Sequence, residues 1–425
     1  MIHAYELHGR TILLDVESGA VHELDRAAFD ALSIPPERHT SEQAEAWREL
    51  QALKADGLLF TEPDPEPIAA RSADLPLKAL CMHVSHDCNL RCRYCFAGTG
   101  DFGTGRRAVM PPRVAEQAIE YLLARCGGRV NLEVDFFGGE PLMALDTVKH
   151  TVEYAKKAAP DKNWRFTLTT NGVLLDEDTV AYLNREMDNL VLSLDGRKEV
   201  NDGHRGKSYD LLLPKYKRVL ETRTGDYYVR GTYTNQNLDF TEDVLHLASL
   251  GFANISLEPA VLPPGHPLAL TEGNLPALCA EYEKLCGTMA GGVDFSFFHF
   301  NVDLSQGPCV YKRLRGCGAG VEYAAVTPEG DVYPCHQFVG REEFQLGSVL
   351  DGSFSQEVSS RFKMLDAHSR EDCRNCWAKY FCGGGCAAAN LTVNGDILKP
   401  DSLGCELAKK RLSCAIYLKT VQMCD

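Results

Sequence analysis

The chain has 425 residues, enough for two or three domains that each bury an apolar core. Its formal net charge of −15 argues against a nucleic-acid-binding surface as its main function. Its apolar runs are too short to span a bilayer, and its first residues show no basic stretch followed by an apolar one. We therefore expect a cytoplasmic protein with no membrane partner and no nucleic-acid partner.

The first sixty or so residues have a pattern of their own. Three short strand-like runs are followed by helical patterning from Asp25, a suitable N-cap, and by a second helical stretch from Thr40 to Ala55. Three alternating prolines, at positions 63, 65 and 67, then predict a linker. The three strand-like runs are 5–8, 11–16 and 20–24.

From Leu77 to about Phe300, strand-like runs alternate with helical stretches such as Pro112 to Arg125 and Leu145 to Ala158. Alternation of this length predicts an α/β fold with a parallel sheet, here a partial barrel of six βα units. Sites in such barrels lie at the C-terminal ends of the strands. The predicted strands are 79–84, 131–137, 165–170, 189–194, 227–234 and 254–259.

Three cysteines follow the first of these strands: Cys88, Cys92 and Cys95, in the spacing C-x3-C-x2-C. Three thiolates can hold a four-iron cluster and leave one iron open, which is typical of a catalytic rather than a structural metal centre. Seventeen cysteines in a cytosolic chain also indicate metal ligands or catalytic thiols rather than disulfides.

This cysteine loop resembles the cluster-binding loop of the radical S-adenosylmethionine (SAM) superfamily. The resemblance implies that Cys88, Cys92 and Cys95 bind a catalytic [4Fe–4S] cluster and that Tyr94 contacts the cofactor. In that family the open iron chelates SAM, and one-electron reduction releases a 5′-deoxyadenosyl radical.

Residues at later strand ends extend the resemblance. Gly138, Gly139 and Glu140 match the element that binds the SAM amino group, since glycines let the backbone approach a ligand and a carboxylate accepts hydrogen bonds from an ammonium. Ser193 and Arg205 match family elements near the SAM ribose and carboxylate.

Three further residues are less clearly assigned. Asn171 and Asp195 also match the family, but each precedes a glycine, so turn formation explains them equally well. Glu258, at a late strand end, is a further candidate for a side chain that faces the cavity.

The segment 301–425 holds ten cysteines and little periodic patterning, so we expect metal rather than a large core to hold it together. Its cysteine pattern resembles the SPASM domain, which carries two auxiliary [4Fe–4S] clusters. The resemblance assigns one cluster to Cys317, Cys335 and Cys386, and the other to Cys373, Cys376, Cys382 and Cys405.

Cys309 would be the obvious fourth ligand of the first auxiliary cluster. If it does not bind, that cluster has an open iron that a substrate thiolate could occupy. The competing interpretation of these cysteines is zinc, because C-x2-C pairs also build zinc ribbons.

Three units are thus predicted, at 1–66, 77–300 and 301–425. The first resembles a winged-helix recognition element that binds a leader peptide by strand addition. It could instead merely pack on the catalytic domain. Together the three resemble maturases of ribosomal peptides. Residues 8–22 are similar to the start of the maturases that act on "six cysteines in forty-five residues" (SCIFF) peptides.

That resemblance implies an oxidoreductase that uses three [4Fe–4S] clusters and SAM to install cysteine thioether crosslinks in a ribosomal precursor peptide. A flavodoxin or ferredoxin would donate the electrons. One alternative is oxidation of a Cys or Ser residue, as in anaerobic sulfatase maturases, or another SPASM peptide modification. A second alternative is a non-enzymatic, zinc-stabilised binding protein.

Overall fold

The computed structural model describes residues 1–63, 75–304 and 314–424. Most of the predicted linker, the predicted boundary at residue 66 and Cys309 lie outside the described residues.

The N-terminal unit is a three-stranded antiparallel sheet in the order β1-β2-β3, followed by two helices, α1 and α2. Asp25 caps α1 as predicted, because its side chain accepts a hydrogen bond from the Ala28 N–H. Thr40 and Gln43 form a capping box at the start of α2. The winged-helix assignment is not confirmed. The elements are β1 (Ile2–Leu7), β2 (Arg10–Asp15), β3 (Val21–Leu24), α1 (Arg26–Ala31) and α2 (Ser41–Ala55).

Strand β2 is buried at five consecutive residues, from Thr11 to Asp15. Since successive side chains of a strand point to opposite faces, both faces of β2 are buried. Leu13 packs with Leu50 and Leu59 in a small core of the N-terminal unit. Ile12 and Leu14 belong instead to the main core of the molecule. The N-terminal sheet therefore rests directly on the rest of the protein.

A ten-stranded sheet forms the centre of the molecule, in the order β10-β9-β8-β7-β6-β5-β4-β11-β12-β13. Its first eight strands in that order pair in parallel, and the last two pair antiparallel. The strands are β4 (Ala79–Ser85), β5 (Asn131–Gly138), β6 (Asn163–Thr170), β7 (Asn189–Ser193), β8 (Asp226–Tyr233), β9 (Asn254–Pro259), β10 (Ser296–Phe297), β11 (Tyr323–Val326), β12 (Asp331–Tyr333) and β13 (Gly347–Ser348).

Helices connect these strands in the βα pattern that the sequence predicts. The helices of the middle segment are α3 (Pro112–Arg125), α4 (Leu145–Ala158), α5 (Glu177–Glu186), α6 (Lys198–Arg205), α7 (Tyr209–Thr222), α8 (Phe240–Ser249) and α9 (Leu275–Ala290). Those of the last segment are α10 (Gln356–Lys363), α11 (Glu371–Arg374), α12 (Lys379–Cys382), α13 (Ala387–Asn394) and α14 (Ser402–Cys424).

The predicted strands and helices of the middle segment are confirmed, but the predicted number of parallel strands is not. The six predicted strands are β4 to β9, within two residues at each end, and α3 and α4 have the predicted bounds. Two short strands, β10 and β11, extend the parallel sheet beyond six. Runs of two and four residues are too short for sequence periodicity to reveal.

The expectation that the last segment lacks a large core is wrong. Its described residues bury several large side chains, including Phe338, Phe344 and Phe362, and β11 pairs directly with β4 of the central sheet. Helix α14 is buried continuously from Leu412 to Leu418. A helix buried on all sides has no single apolar face, so it has no helical periodicity to detect. Among the described residues, no helix combines the length and apolarity needed to cross a membrane.

Candidate active site

A cavity of about 270 Å³ lies at the C-terminal ends of the parallel strands. The structure places all nine predicted residues of the catalytic loop and the SAM pocket in its lining: Cys88, Cys92, Tyr94, Cys95, Gly138, Gly139, Glu140, Ser193 and Arg205. His336 and Gln337 from the last segment line it as well. The C-terminal segment therefore closes part of this cavity, which the sequence did not indicate.

The two glycines hold the cysteine loop against the end of β5. The Gly139 N–H donates to the Ser85 carbonyl at 2.8 Å, and the Glu140 N–H donates to the Asp87 carbonyl at 2.9 Å. A Cβ on Gly138 would lie 2.2 Å from the Ser85 carbonyl oxygen, and one on Gly139 would lie 2.2 Å from that of Asp87. Contact between two backbone segments therefore requires glycine at both positions.

Polar hydrogens already approach the first thiol of the loop. The Cys88 Sγ lies 3.6 Å from Asn171 Nδ2 and 3.4 Å from the Leu90 amide nitrogen. Burial raises the pKa of Cys88, and it raises the pKa of Cys92 to about 11 although the Arg205 cation acts in the opposite direction. Iron ligation needs thiolates, so the positive charge of a bound cluster would have to stabilise them here.

The Glu140 carboxylate lies in the pocket wall and is bound by groups of its own chain. Its Oε1 accepts hydrogen bonds from the Leu142 N–H at 3.0 Å and from Thr170 Oγ1 at 2.7 Å. Its Oε2 accepts one from the Asn171 N–H at 2.7 Å. Burial raises the pKa of Glu140 to about 7. Glu140 thus anchors the end of β6, and contact with the SAM amino group stays a prediction.

Asp195 is the centre of a buried polar network. Its carboxylate accepts hydrogen bonds from Tyr94 Oη at 2.7 Å, from Arg205 Nε at 3.0 Å and from the Thr232 N–H at 3.0 Å. Its side chain is fully buried, and that of Arg205 is nearly so. Asp195 therefore orients two predicted cofactor-binding residues, a role that its place before a glycine did not reveal.

A second cavity, of about 720 Å³, adjoins the first. Arg230, Glu258 and Gln337 are among the residues that line both. The second cavity also borders three cysteines of the last segment: Cys382, Cys386 and Cys405. The cavity at the catalytic loop and the cavity at the C-terminal cysteines are thus neighbours that share part of their lining.

Glu258 faces a cavity, as its strand-end position suggested, and it lines both cavities. Its carboxylate is 3.1 Å from His299 Nε2 and 3.6 Å from the Arg230 guanidinium. Burial alone would raise the pKa of Glu258, but His299 and Arg230 hold it well below its usual range. His299 is missed by the sequence analysis, because no motif contains it.

The structure brings seven of the described C-terminal cysteines together in two groups, whereas Cys414 lies against Cys286. Cys317, Cys335 and Cys386 line a small cavity of about 40 Å³. In the other group, burial and then the neighbouring Cys382 and Cys373 raise the pKa of Cys405 to about 12. The members of this second group are Cys373, Cys376, Cys382 and Cys405.

Neither group is arranged as a site for one ion. In residues 1–63, 75–304 and 314–424, no three His, Cys, Asp or Glu side chains converge as a single metal ion requires. A four-iron cluster binds each thiolate at a different iron, so its thiolates need not converge on one point.

Comparison with known proteins agrees with this architecture. Residues 82–236 match the model of the Radical SAM superfamily, and residues 317–377 match that of SPASM, an iron–sulfur cluster-binding domain. The chain therefore contains a radical SAM domain followed by a SPASM domain, on an α/β fold with a parallel sheet.

Individual proteins resemble most of the chain. It is 27% identical to the mycofactocin maturase MftC of Mycolicibacterium smegmatis over 342 residues, which cover 78% of this chain and 83% of MftC. The structure of anSMEcpe with bound AdoMet matches with a TM-score of 0.67 at 20% identity, covering 81% of this chain and 99% of that one. Streptococcus suis SuiB bound to S-adenosylmethionine matches with a TM-score of 0.59 at 18% identity, covering 95% of this chain and 98% of SuiB.

Proposed function

We propose that this protein is a radical SAM maturase that installs cysteine thioether crosslinks in a ribosomally made, cysteine-rich precursor peptide. The observation that carries the proposal is a pair of adjoining cavities that share Arg230, Glu258 and Gln337 and each border a set of cysteines. Cys88, Cys92 and Cys95 line the first cavity, and Cys382, Cys386 and Cys405 border the second. Similarity to a mycofactocin maturase supports the maturase class.

The residues of the two cavities suit this chemistry. When bound, a [4Fe–4S] cluster and SAM supply one-electron chemistry that can remove a hydrogen atom from an unactivated carbon, which no side-chain base can do. Cys88, Cys92 and Cys95 would hold that cluster, while Asp195 orients Tyr94 and Arg205 in the pocket wall. The two C-terminal cysteine groups would hold auxiliary clusters that accept the electron left over when the thioether forms.

Mass spectrometry of the peptide product tests the proposed reaction. We expect each thioether to lower the peptide mass by two hydrogen atoms and to remove one alkylatable thiol, because a C–H and an S–H bond are replaced by a C–S bond. The measurement is intact mass after reduction and alkylation, using synthetic cysteine-rich peptides as substrates. A product with a new carbonyl and no crosslink would instead support the oxidation of a single Cys or Ser residue. An unchanged peptide mass with vigorous SAM cleavage would contradict both reactions.

The N-terminal sheet is the proposed site for the leader of that peptide. Strands β1 and β3 are its edges, and among the described residues each pairs with β2 on one side and with no strand on the other. An extended peptide can add to such an edge through main-chain hydrogen bonds. We assign the leader to β3, because β1 carries the contacts to the C-terminal segment.

Hydrogen–deuterium exchange tests the assignment to β3. Adding the precursor peptide is expected to slow amide exchange in residues 20–25, since the added strand would pair with the free edge of β3. Slower exchange at β1 alone, or at no part of the sheet, would contradict it. Deleting the N-terminal unit is a poorer test, because loss of Ile12 and Leu14 would expose the main core.

A further inference from the structure

Glu17, in the turn after β2, forms a buried ion pair with the C-terminal segment. Its Oε1 lies 2.8 Å from Lys379 Nζ, and its Oε2 accepts a hydrogen bond from Tyr380 Oη at 2.7 Å. The Glu17 and Lys379 side chains are only 6% and 5% exposed. Asp15 holds the turn in place by accepting hydrogen bonds from the Glu17 and Ser18 N–H groups. Both partners are therefore fixed and largely desolvated.

A ring contact joins the same two segments. The His3 ring stacks on Trp377 with centroids 3.7 Å apart and planes 6° apart. Trp377 directly follows Cys376, and the Lys379 N–H donates to the Cys376 carbonyl at 3.2 Å. Three of the five residues between Cys376 and Cys382 thus contact the N-terminal unit: Trp377, Lys379 and Tyr380.

The charges of this pair can act on the cysteine group beside it. A charge in a poorly solvated environment influences a neighbouring site more strongly than one in water. The reduction potential of an iron–sulfur cluster depends on nearby charge and on solvent exposure. Lys379 is three residues from each of two members of the second cysteine group, Cys376 and Cys382, and the short helix that it opens ends at Cys382. This spacing keeps its backbone within one helical turn of the Cys382 backbone.

We propose that Glu17 is a positioning residue of the second cysteine group. Through Lys379 and Tyr380 it fixes the segment between Cys376 and Cys382, and by pairing with Lys379 it sets the electrostatic potential at the bound cluster. This inference rests on the part of the proposed function that places a redox-active cluster on Cys373, Cys376, Cys382 and Cys405.

Redox titration followed by electron paramagnetic resonance tests the proposal. The titration uses full-length protein carrying Cys88/Cys92/Cys95→Ala, so that only the C-terminal clusters contribute. Glu17→Gln is expected to raise one midpoint potential, because the unpaired Lys379 cation favours the reduced cluster. Lys379→Met is expected to lower the same potential, because the Glu17 carboxylate then stands alone. The double variant is expected to return near the starting value.

Two controls separate this effect from a general loss of structure. Glu23→Gln removes a carboxylate of the same sheet that pairs with Arg10 at an exposed position, and it is expected to leave both potentials unchanged. The cluster of the first cysteine group is an internal reference, and its potential should not move. A merely structural role for Glu17 would not produce shifts of opposite sign in the two single variants.

The results that would contradict the role of Glu17 differ from those that would contradict the proposed cluster. Unchanged potentials, or shifts of the same sign in Glu17→Gln and Lys379→Met, would overturn the role of Glu17 and leave the proposed function standing. The absence of an iron–sulfur signal from the second group while Glu17 is unaltered would overturn the proposed cluster itself, and the role of Glu17 with it.

Discussion

Replacing Cys88, Cys92 and Cys95 together by alanine is expected to lower the iron content from about twelve to about eight atoms per monomer and to abolish SAM cleavage. The three thiols line one cavity, whereas the C-terminal cysteines form two groups of their own, so the catalytic cluster should be lost independently. The measurement is iron, sulfide and zinc per monomer after anaerobic purification, together with the rate of 5′-deoxyadenosine formation.

Cys279→Ala is the matched control for that variant, because Cys279 is a half-buried thiol on α9 outside all three groups. It should keep the full iron content and the full rate of SAM cleavage. Zinc in place of iron in the unaltered protein, or the same iron content in the triple variant, would exclude the radical mechanism. The first result would also favour a zinc-stabilised binding protein.

Replacing Asp195 by alanine is expected to lower the free energy of unfolding by about 3–5 kcal/mol, the range typical of breaking a buried ion pair. The change would leave the buried Arg205 guanidinium without its carboxylate and would take a hydrogen-bond acceptor from Tyr94. Denaturation by urea, followed by far-ultraviolet circular dichroism, measures the loss.

Two further variants test whether the buried ion pair is the cause of that loss of stability. The Asp195→Ala/Arg205→Met double variant should be more stable than Asp195→Ala, because it also removes the Arg205 charge that would otherwise be buried without a partner carboxylate. Glu23→Gln, which breaks an exposed pair with Arg10, should cost no more than about 1 kcal/mol. Equal stability of Asp195→Ala and the double variant would show that the ion pair is not what stabilises this region.

Much of the central fold could be predicted because its signals are local. The bounds of α3 and α4 follow from apolar residues at helical spacing, and the parallel strands follow from alternation of strand and helix. The cysteine loop and the glycine element could be placed at one end of the sheet for the same reason, since parallel strands bring their C-terminal ends together.

What could not be predicted depends on residues far apart in the chain. Asp195 meets Tyr94 across 101 positions, and Glu17 meets Lys379 across 362, so neither partner has a signature in its own neighbourhood. Helix α14 was missed for a different reason, because a helix surrounded by protein carries no amphipathic pattern.

The close backbone contact at Gly138 and Gly139 constrains these two positions through packing, independently of the chemistry of the cysteine loop. A descendant of this chain could lose all three cysteines of the loop, and with them the cluster. The end of its strand β5 would still contact the Ser85–Asp87 backbone. Packing alone would then preserve the two glycines. In a related sequence, a glycine pair at this strand end therefore indicates only the same fold. The cysteines of the loop are needed to indicate the same chemistry.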